Sequence, residues 1–421
     1  MNIFKNAKLG LKVSLIMILV VAILVGGVFT YLINDTRDKD IEAAQNNADA
    51  IARENAAMIK AELETALDAA RTTSQLFSAY ENLPEEDRRM ILNSMLEELL
   101  NQNPSFLGVW AVYEPNQLDD MDELFADQEG YDNTGRFIPY WYRSNNEIKT
   151  EPLVGYETPG DGDYYLRAYE SGKEVILDPY TYQVDGKDVL LTTFAAPIFN
   201  SNNEVVGATG VDISLDYLND LAFSKGTYKS TYSFTLANNG VFVTHPKETM
   251  IGSNILDLDD EFKEQVVNSI ENKQEYSFED RGLSTGFGSW KSIIPINIGD
   301  TDTSWGAGVV IEMDEILQAS QSMMILLIFI LLGLLVLIAF AIIKILKKLV
   351  TNPITNLVNV ADKIALGDID VEVKADSKDE IGQLANSFGD MIDNTKEQAK
   401  AAENIAAGNL DIEINEKSDK D

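Results

Sequence analysis

Cysteine is absent from the 421 residues, and histidine occurs once, at His245. The first absence excludes disulfides, thiolate nucleophiles and thiolate-held metals. The second excludes clustered-histidine metal sites and most serine–histidine chemistry. Basic residues are scarce too: 33 Lys and Arg against 68 Asp and Glu leave a net charge of −35. A surface of that sign neither displaces counterions from nucleic acid nor clings to anionic lipid through a basic patch. Nothing implies a cofactor, a nucleic-acid partner or an enzyme. What remains is ordinary: an apolar fraction of 45% permits sizeable cores, and the length suits two to four compact units of roughly 100–200 residues.

Charge is missing altogether from two stretches, 13–33 and 323–343. Each supplies the roughly 20 apolar residues that cross a hydrocarbon core, and in lipid each must be helical to satisfy its own backbone. The first is too long for a signal-peptide core and lacks a small-x-small cleavage site, so it reads as an uncleaved anchor. Lys5, Lys8 and Lys12 precede the first stretch, and Lys344, Lys347 and Lys348 follow the second. The other flanks carry Asp35, Asp38 and Asp40, then Glu312, Asp314 and Glu315, with Arg37 and Lys39 diluting the contrast at one of them. The bias of Lys and Arg toward the cytoplasmic side predicts a cytoplasmic segment 1–12, spans 13–33 and 323–343, and a block 34–322 outside the cell.

The outside block opens with a helical stripe: Ile41, Ala44, Ala48 and Ile51, then Ile59, Leu63, Ala66 and Ala70, interrupted once at Asn55. That spacing predicts one long stalk helix continuing from the membrane. Pro84, followed by Glu85, Glu86 and Asp87, marks the start of a second helix. After Pro104 short β-branched and aromatic runs take over, at 106–113, 189–194, 205–211, 232–236 and 306–311, parted by Asn-Gly and Asp-Gly turns. The pattern is α+β with antiparallel sheets. Asp119, Asp120, Asp122 and Glu123 lack the calcium-loop pattern and read as a solvated acidic loop. His245, before Pro246, reads as a turn residue.

Several motifs in order resemble the double-Cache sensor domains. They are Gly135-Arg136-Phe137-Ile138-Pro139-Tyr140-Trp141, Asp178-Pro179-Tyr180 with Asp185-Gly186-Lys187, Ala196-Pro197-Ile198, and Val206-Gly207-Ala208-Thr209-Gly210-Val211-Asp212. A smaller module follows with Asn239-Gly240, Val243-Thr244-His245-Pro246, Ile294-Pro295-Ile296 and Trp305-Gly306. The resemblance implies a stalk helix carrying two PAS-like lobes, a distal one at about 82–220 and a proximal one at about 228–315, with ligand in the distal lobe. There, aromatic residues and an acid accumulate: Trp110, Trp141, Tyr164, Tyr165, Tyr180, Tyr182 and Asp212 are the candidate ligand contacts. Aromatic faces attract cations, and a carboxylate takes charge-assisted hydrogen bonds from an amine. Amino-acid-binding members of the family carry Arg-x-Trp-Tyr, then Tyr-x-Asp, then the Asp of a Gly-Val-Asp strand. Here the first motif becomes Gly162-Asp163-Tyr164-Tyr165, without the arginine, and Tyr182 replaces the second Asp, while Tyr180 and Asp212 match. Loss of a bidentate carboxylate clamp points toward an amine, a quaternary ammonium or another nitrogenous small molecule, although Arg136 or Arg143 offers a carboxylate partner from another strand.

Beyond the second span, Asn352-Pro353 opens a helix with Ile354, Leu357, Ala361 and Ile364 at heptad-like positions. A break at Gly367-Asp368 follows, then Asp379-Glu380-Ile381-Gly382 and a second helix carrying Ile381, Leu384, Phe388 and Met391 or Ile392. This closely resembles a HAMP relay domain over 344–398, a parallel four-helix bundle made by two chains. It implies a homodimer, because two short amphipathic helices cannot cover their own stripes. Ile405-Ala406-Ala407-Gly408-Asn409-Leu410-Asp411 echoes the run from Ile364, so 399–421 reads as the start of a second HAMP-like unit or of a signalling helix, cut before a chemoreceptor hairpin. The whole resembles a methyl-accepting chemotaxis protein: a small extracellular ligand outside and, if the hairpin exists, a chemotaxis adaptor and kinase inside. The sensor front end of a histidine kinase or cyclic-dinucleotide enzyme is the alternative.

Overall fold

The computed structural model describes residues 9–145, 147–221, 226–280, 288–374 and 377–409. Lys5, Lys8 and the tail from Leu410 to Asp421, invoked above, lie outside them. The chain divides into two compact units, residues 37–320 and residues 1–36 with 321–421.

In the first unit, helix α1 (Leu9–Phe77) supplies the stalk. Its apolar stripe is buried as the spacing predicts, with Ala44, Ala48, Ile59, Leu63, Ala66 and Ala70 all fully covered. The interruption at Asn55 is structural: it is buried, and its Nδ2 donates to Ser233 Oγ at 2.8 Å, where the stalk passes a strand of the proximal lobe. Pro84 precedes only a 3-10 turn, Glu85–Asp87, and the second helix, α2, begins later at Arg88 (Arg88–Gln102).

The distal lobe holds β1 (Gly108–Tyr113), a short helix α3 (Asp122–Phe125), β2 (Pro139–Ser144), β3 (Glu147–Pro152), helix α4 (Asp163–Ser171), β4 (Val175–Ile176), β5 (Tyr180–Val184), β6 (Lys187–Phe199) and β7 (Val205–Ser214). They form one sheet in the order β3-β2-β1-β7-β6-β4, with β5 paired to β6, and all recorded pairings are antiparallel. Alternation along each strand gives the sheet two faces. Val109, Ala111 and Tyr113 join the core shared with α1 and α2. Trp110, Val112, Tyr140, Tyr142 and Ala208 turn the other way, toward α4.

After helix α5 (Leu215–Asn219), the proximal lobe builds a second sheet, β10-β11-β12-β8-β9, from β8 (Tyr232–Leu236), β9 (Phe242–Thr244), β10 (Tyr276–Asp280), β11 (Ser289–Asn297) and β12 (Ser304–Glu312), covered by helix α6 (Lys263–Glu271). His245 follows β9 against Phe242, Phe234 and Tyr232, and its Nδ1 accepts the Lys247 N–H. Burial lowers its pKa.

The acidic loop is not solvated throughout. Asp119 and Asp122 are buried on Arg89, itself 5% exposed: Asp119 accepts from Nε and Nη2 at 2.6 and 2.9 Å, and Asp122 from Nη2 at 2.6 Å. The guanidinium also donates to the Gly135 carbonyl and lies over the Phe125 ring at 4.1 Å. This cluster ties α2 to the turn before β2.

The second unit contains two helices long and apolar enough to cross a membrane, within α1 and within α7 (Met313–Leu346). Ile16, Leu19, Ile23 and Leu24, and Ile325, Phe329, Val336 and Phe340, point outward uncovered, a surface that is stable against lipid rather than water. A π-helical turn, Lys347–Thr351, leads into α8 (Asn352–Ala365) with Pro353 in its first turn. Helix α9 (Glu380–Ala406) is capped by Asp379, whose Oδ1 accepts from the N–H groups of Ile381 and Gly382 at 3.0 Å each. Gly382 is required by close approach, since a Cβ there would lie 1.8 Å from the Ser377 carbonyl oxygen. Leu357, Ala385 and Ile392 are buried, while Val358, Leu384 and Met391 remain exposed in the single chain.

Candidate functional site

Asp212 sits on β7 between two register partners, Gly108 on β1 and Thr193 on β6. Alternation places it on the α4 face of the sheet, at 3% exposure. Its Oδ1 accepts from Thr193 Oγ1 at 2.6 Å and from Trp110 Nε1 at 3.3 Å. No Lys or Arg pairs with it among the described residues. Burial pushes the carboxyl up to about 6, and the donors from Thr193 and Trp110 and the nearby Tyr140 hydroxyl keep it from rising further. A buried acid without a cation favours its neutral form, and any arriving positive charge reverses that preference.

Aromatic rings close around it. Trp110 meets Tyr164 edge-on at 5.3 Å, and Tyr182 meets Tyr164, Tyr140 and Tyr180 edge-on at 5.5, 5.6 and 6.4 Å. Tyr180 shares a 2.7 Å hydrogen bond with Thr193. The Tyr164 hydroxyl donates to the Val154 carbonyl, and the Tyr182 hydroxyl accepts the Val154 N–H. Two hydroxyls of the cage thus hold the backbone at Val154.

Five of the seven sequence candidates gather here: Trp110, Tyr164, Tyr180, Tyr182 and Asp212. The structure does not bring the other two to the group. Trp141 lies on the opposite face of β2, donating its Nε1 to Asn93 of α2 at 3.0 Å. Tyr165 turns to Glu114, which accepts its hydroxyl proton, and stacks on Tyr169. Sequence reasoning missed Tyr140 and Thr193. Strand alternation could have found Tyr140, because a strand that presents Trp141 to one face presents Tyr140 and Tyr142 to the other. Thr193 becomes visible only through the β6–β7 register. Neither arginine offered above is available: Arg136 is spent on Glu114, Glu157 and the Tyr113 carbonyl, and Arg143 on the carbonyls of Leu100, Asn103 and Phe106.

Gly210, two residues before Asp212, has no room for a side chain. A Cβ there would lie 2.3 Å from Trp110 Cζ2 and 2.9 Å from its Nε1. Gly210→Ala should displace the indole from Asp212 and cost about 1–3 kcal/mol of stability, as overpacking does. Denaturant titration checks the loss, and an unchanged midpoint would show that the indole moves freely.

The fold and the module order define a membrane-type sensor: a double-Cache unit between two apolar helices, followed by HAMP helices. Residues 92–220 match the first PDC sensor domain of methyl-accepting chemotaxis protein-like receptors, and residues 345–397 match the HAMP domain. The chain is thus similar to these chemoreceptors in its sensor domain and in its HAMP domain. It is 34% identical over 148 residues to the methyl-accepting chemotaxis protein TlpQ of Pseudomonas aeruginosa, covering 32% of this chain and 21% of that one. It is 21% identical over 345 residues to McpA of Bacillus subtilis, covering 80% of this chain and 49% of that one. The chain therefore spans half or less of these curated relatives. The crystal structure of the extracellular domain of the putative histidine kinase mmHK1S-Z3 superposes with a TM-score of 0.56 at 28% identity, covering 67% of this chain and 98% of that domain.

Proposed function

We propose that the chain is the sensing and relay part of a transmembrane chemoreceptor that binds a small organic cation in the distal lobe. The buried, unpaired carboxylate of Asp212 inside a cage of aromatic rings carries this reading. Ionising it without a partner is costly, and a cation placed against it supplies the missing charge while ring faces add roughly 0.5–2 kcal/mol each. Both arginines that might hold a carboxylate are turned to other partners, which disfavours free amino acids. The cation is an amine, a quaternary ammonium or a related nitrogenous molecule. In this reading 34–322 lies outside the cell, and two copies pair through α8 and α9, covering the exposed Leu384 and Met391. A ligand must prefer one signalling state, and a tenfold preference supplies about 1.4 kcal/mol of bias. The rings already touch one another, so entry requires the segment around Val154 to move.

Calorimetric titration of the membrane-embedded chain against amines and amino acids tests this. The expected result is binding of an amine that weakens as pH falls below about 6, where Asp212 takes up its proton. Tight binding of ordinary amino acids without response to amines would reject it. The match to a putative histidine kinase's extracellular domain supports a second reading, in which the same front end drives a kinase, and the reading frame past Asp421 separates the two.

A further inference from the structure

We infer that the proximal lobe is a primary-alkylammonium site filled by its own chain. The Lys291 ammonium is its resident ligand, so the lobe admits an outside amine only when that side chain is removed.

The two lobes share one topology. In the proximal sheet the run β9-β8-β12-β11-β10 repeats the run β2-β1-β7-β6-β5 of the distal one, with every neighbour antiparallel. Two residues before the end of β7 stands Asp212, beside Thr193 on β6 and Gly108 on β1. Two residues before the end of β12 stands Val310, beside Lys291 on β11 and Tyr232 on β8. Both rows lie on the face turned from the stalk, since Val310 packs in the core beneath α6. The charge is therefore inverted. Where the distal lobe has an acid, the proximal lobe has a valine and, on the next strand, a cation.

That cation is held as a bound amine would be. Lys291 Nζ donates to Asp260 Oδ2 at 2.6 Å and lies 2.7 Å from Asp280 Oδ2. The three side chains are only 15, 18 and 22% exposed, which separates them from solvated surface pairs. Asp260 precedes α6 and is fixed through its other oxygen, which accepts the Phe262 N–H at 2.8 Å. Asp280 closes β10. The ammonium also lies 5.5 Å from the centre of the Phe278 ring, itself packed between Phe262 and Tyr276 at 4.5 and 4.9 Å. Burial works against the charge, but the two carboxylates outweigh it and raise the Lys291 pKa. Two carboxylates and an aromatic face are the parts that recognise an alkylammonium, and here a four-carbon stem on β11 delivers it.

The test uses the full chain in lipid nanodiscs. Lys291→Ala removes what n-propylammonium can replace. Its unfolding midpoint should fall by about 6 °C or more. At about 50 mM, n-propylammonium should restore at least about a third of that fall, beyond any shift the same salt gives the unaltered chain. 1-Propanol should restore none, and adding Asp260→Asn and Asp280→Asn to Lys291→Ala should remove the restoration. A shift no larger than in the unaltered chain, or an equal one from 1-propanol, overturns the inference. A second pair covers the case in which Lys291→Ala fails to fold. Lys291→Cys places the only thiol in the chain. Alkylation with 2-bromoethylamine rebuilds an ammonium at lysine's length, and 1-bromopropane gives its neutral counterpart. The aminoethylated form should unfold at least about 4 °C above the propylated one; equal midpoints, or the reverse order, would equally overturn it.

Discussion

Replacing Asp212 with asparagine should abolish cation binding, by 100-fold or more, and yet make the unliganded sensor more stable at neutral pH. The two effects have one cause. The folded carboxyl is raised to about 6 from its ordinary 3.8. Between those values the native state holds a proton that the unfolded chain has lost, so stability falls as pH rises through this window, and the full cost is present above about pH 6. The shift corresponds to about 3 kcal/mol. Asparagine carries no charge to bury, still accepts from Thr193 and Trp110, and brings an N–H that can serve the Tyr140 hydroxyl. Thermal unfolding at pH 7.5 should show the variant higher by about 5 °C or more, with the advantage vanishing near pH 4. A variant less stable at both pH values would mean that the carboxylate is structural. Stability given up for a charge without a partner is what a binding site, rather than a core, requires.

The opposite outcome is expected at Arg89. Arg89→Ala leaves Asp119 and Asp122 buried and facing each other, and should cost about 3–5 kcal/mol. Arg89→Lys should recover only part, because a point charge cannot reproduce the fork that holds Asp119 through two nitrogens while reaching Asp122 and the Gly135 carbonyl. Combining Arg89→Met with Asp119→Asn and Asp122→Asn should recover at least half of the loss, since the penalty lies mainly in uncompensated charge. Denaturant midpoints decide it. If the single and triple variants were equally unstable, shape rather than charge would be what the cluster provides.

Asp212 and the Asp119–Asp122 pair behave oppositely for reasons only partly written in the chain. The stalk was legible because its three- and four-residue stripe extends over many turns, and even the lapse at Asn55 marked a real polar contact with Ser233. The strands were legible from composition and turn residues, and β1, β6, β7, β8 and β12 all fall on expected runs. Asp119 and Asp122 were not legible as buried, because what neutralises them lies on a helix about thirty residues earlier and no local pattern announces the pairing. Trp141 was drawn toward the site by its aromatic neighbours, whereas the pleat sends it to α2 and leaves Tyr140 facing Asp212. Tyr165 failed for the helical equivalent: adjacent residues on α4 point about 100° apart, so only Tyr164 reaches the cage. Residue chemistry pointed to this lobe and this acid; register and handedness chose the neighbours.

Protons released on binding report most directly on Asp212. An amine that is already fully protonated at both pH values must find the carboxylate ionised on entering the cage, so at pH 6, with the group about half protonated, binding should expel about half a proton per site, and at pH 8 none. Calorimetry in buffers of different ionisation enthalpy measures this number. Release at pH 6 that disappears both at pH 8 and in Asp212→Asn is the expected result; binding that releases no proton at pH 6, or the same number with and without the carboxylate, would contradict it.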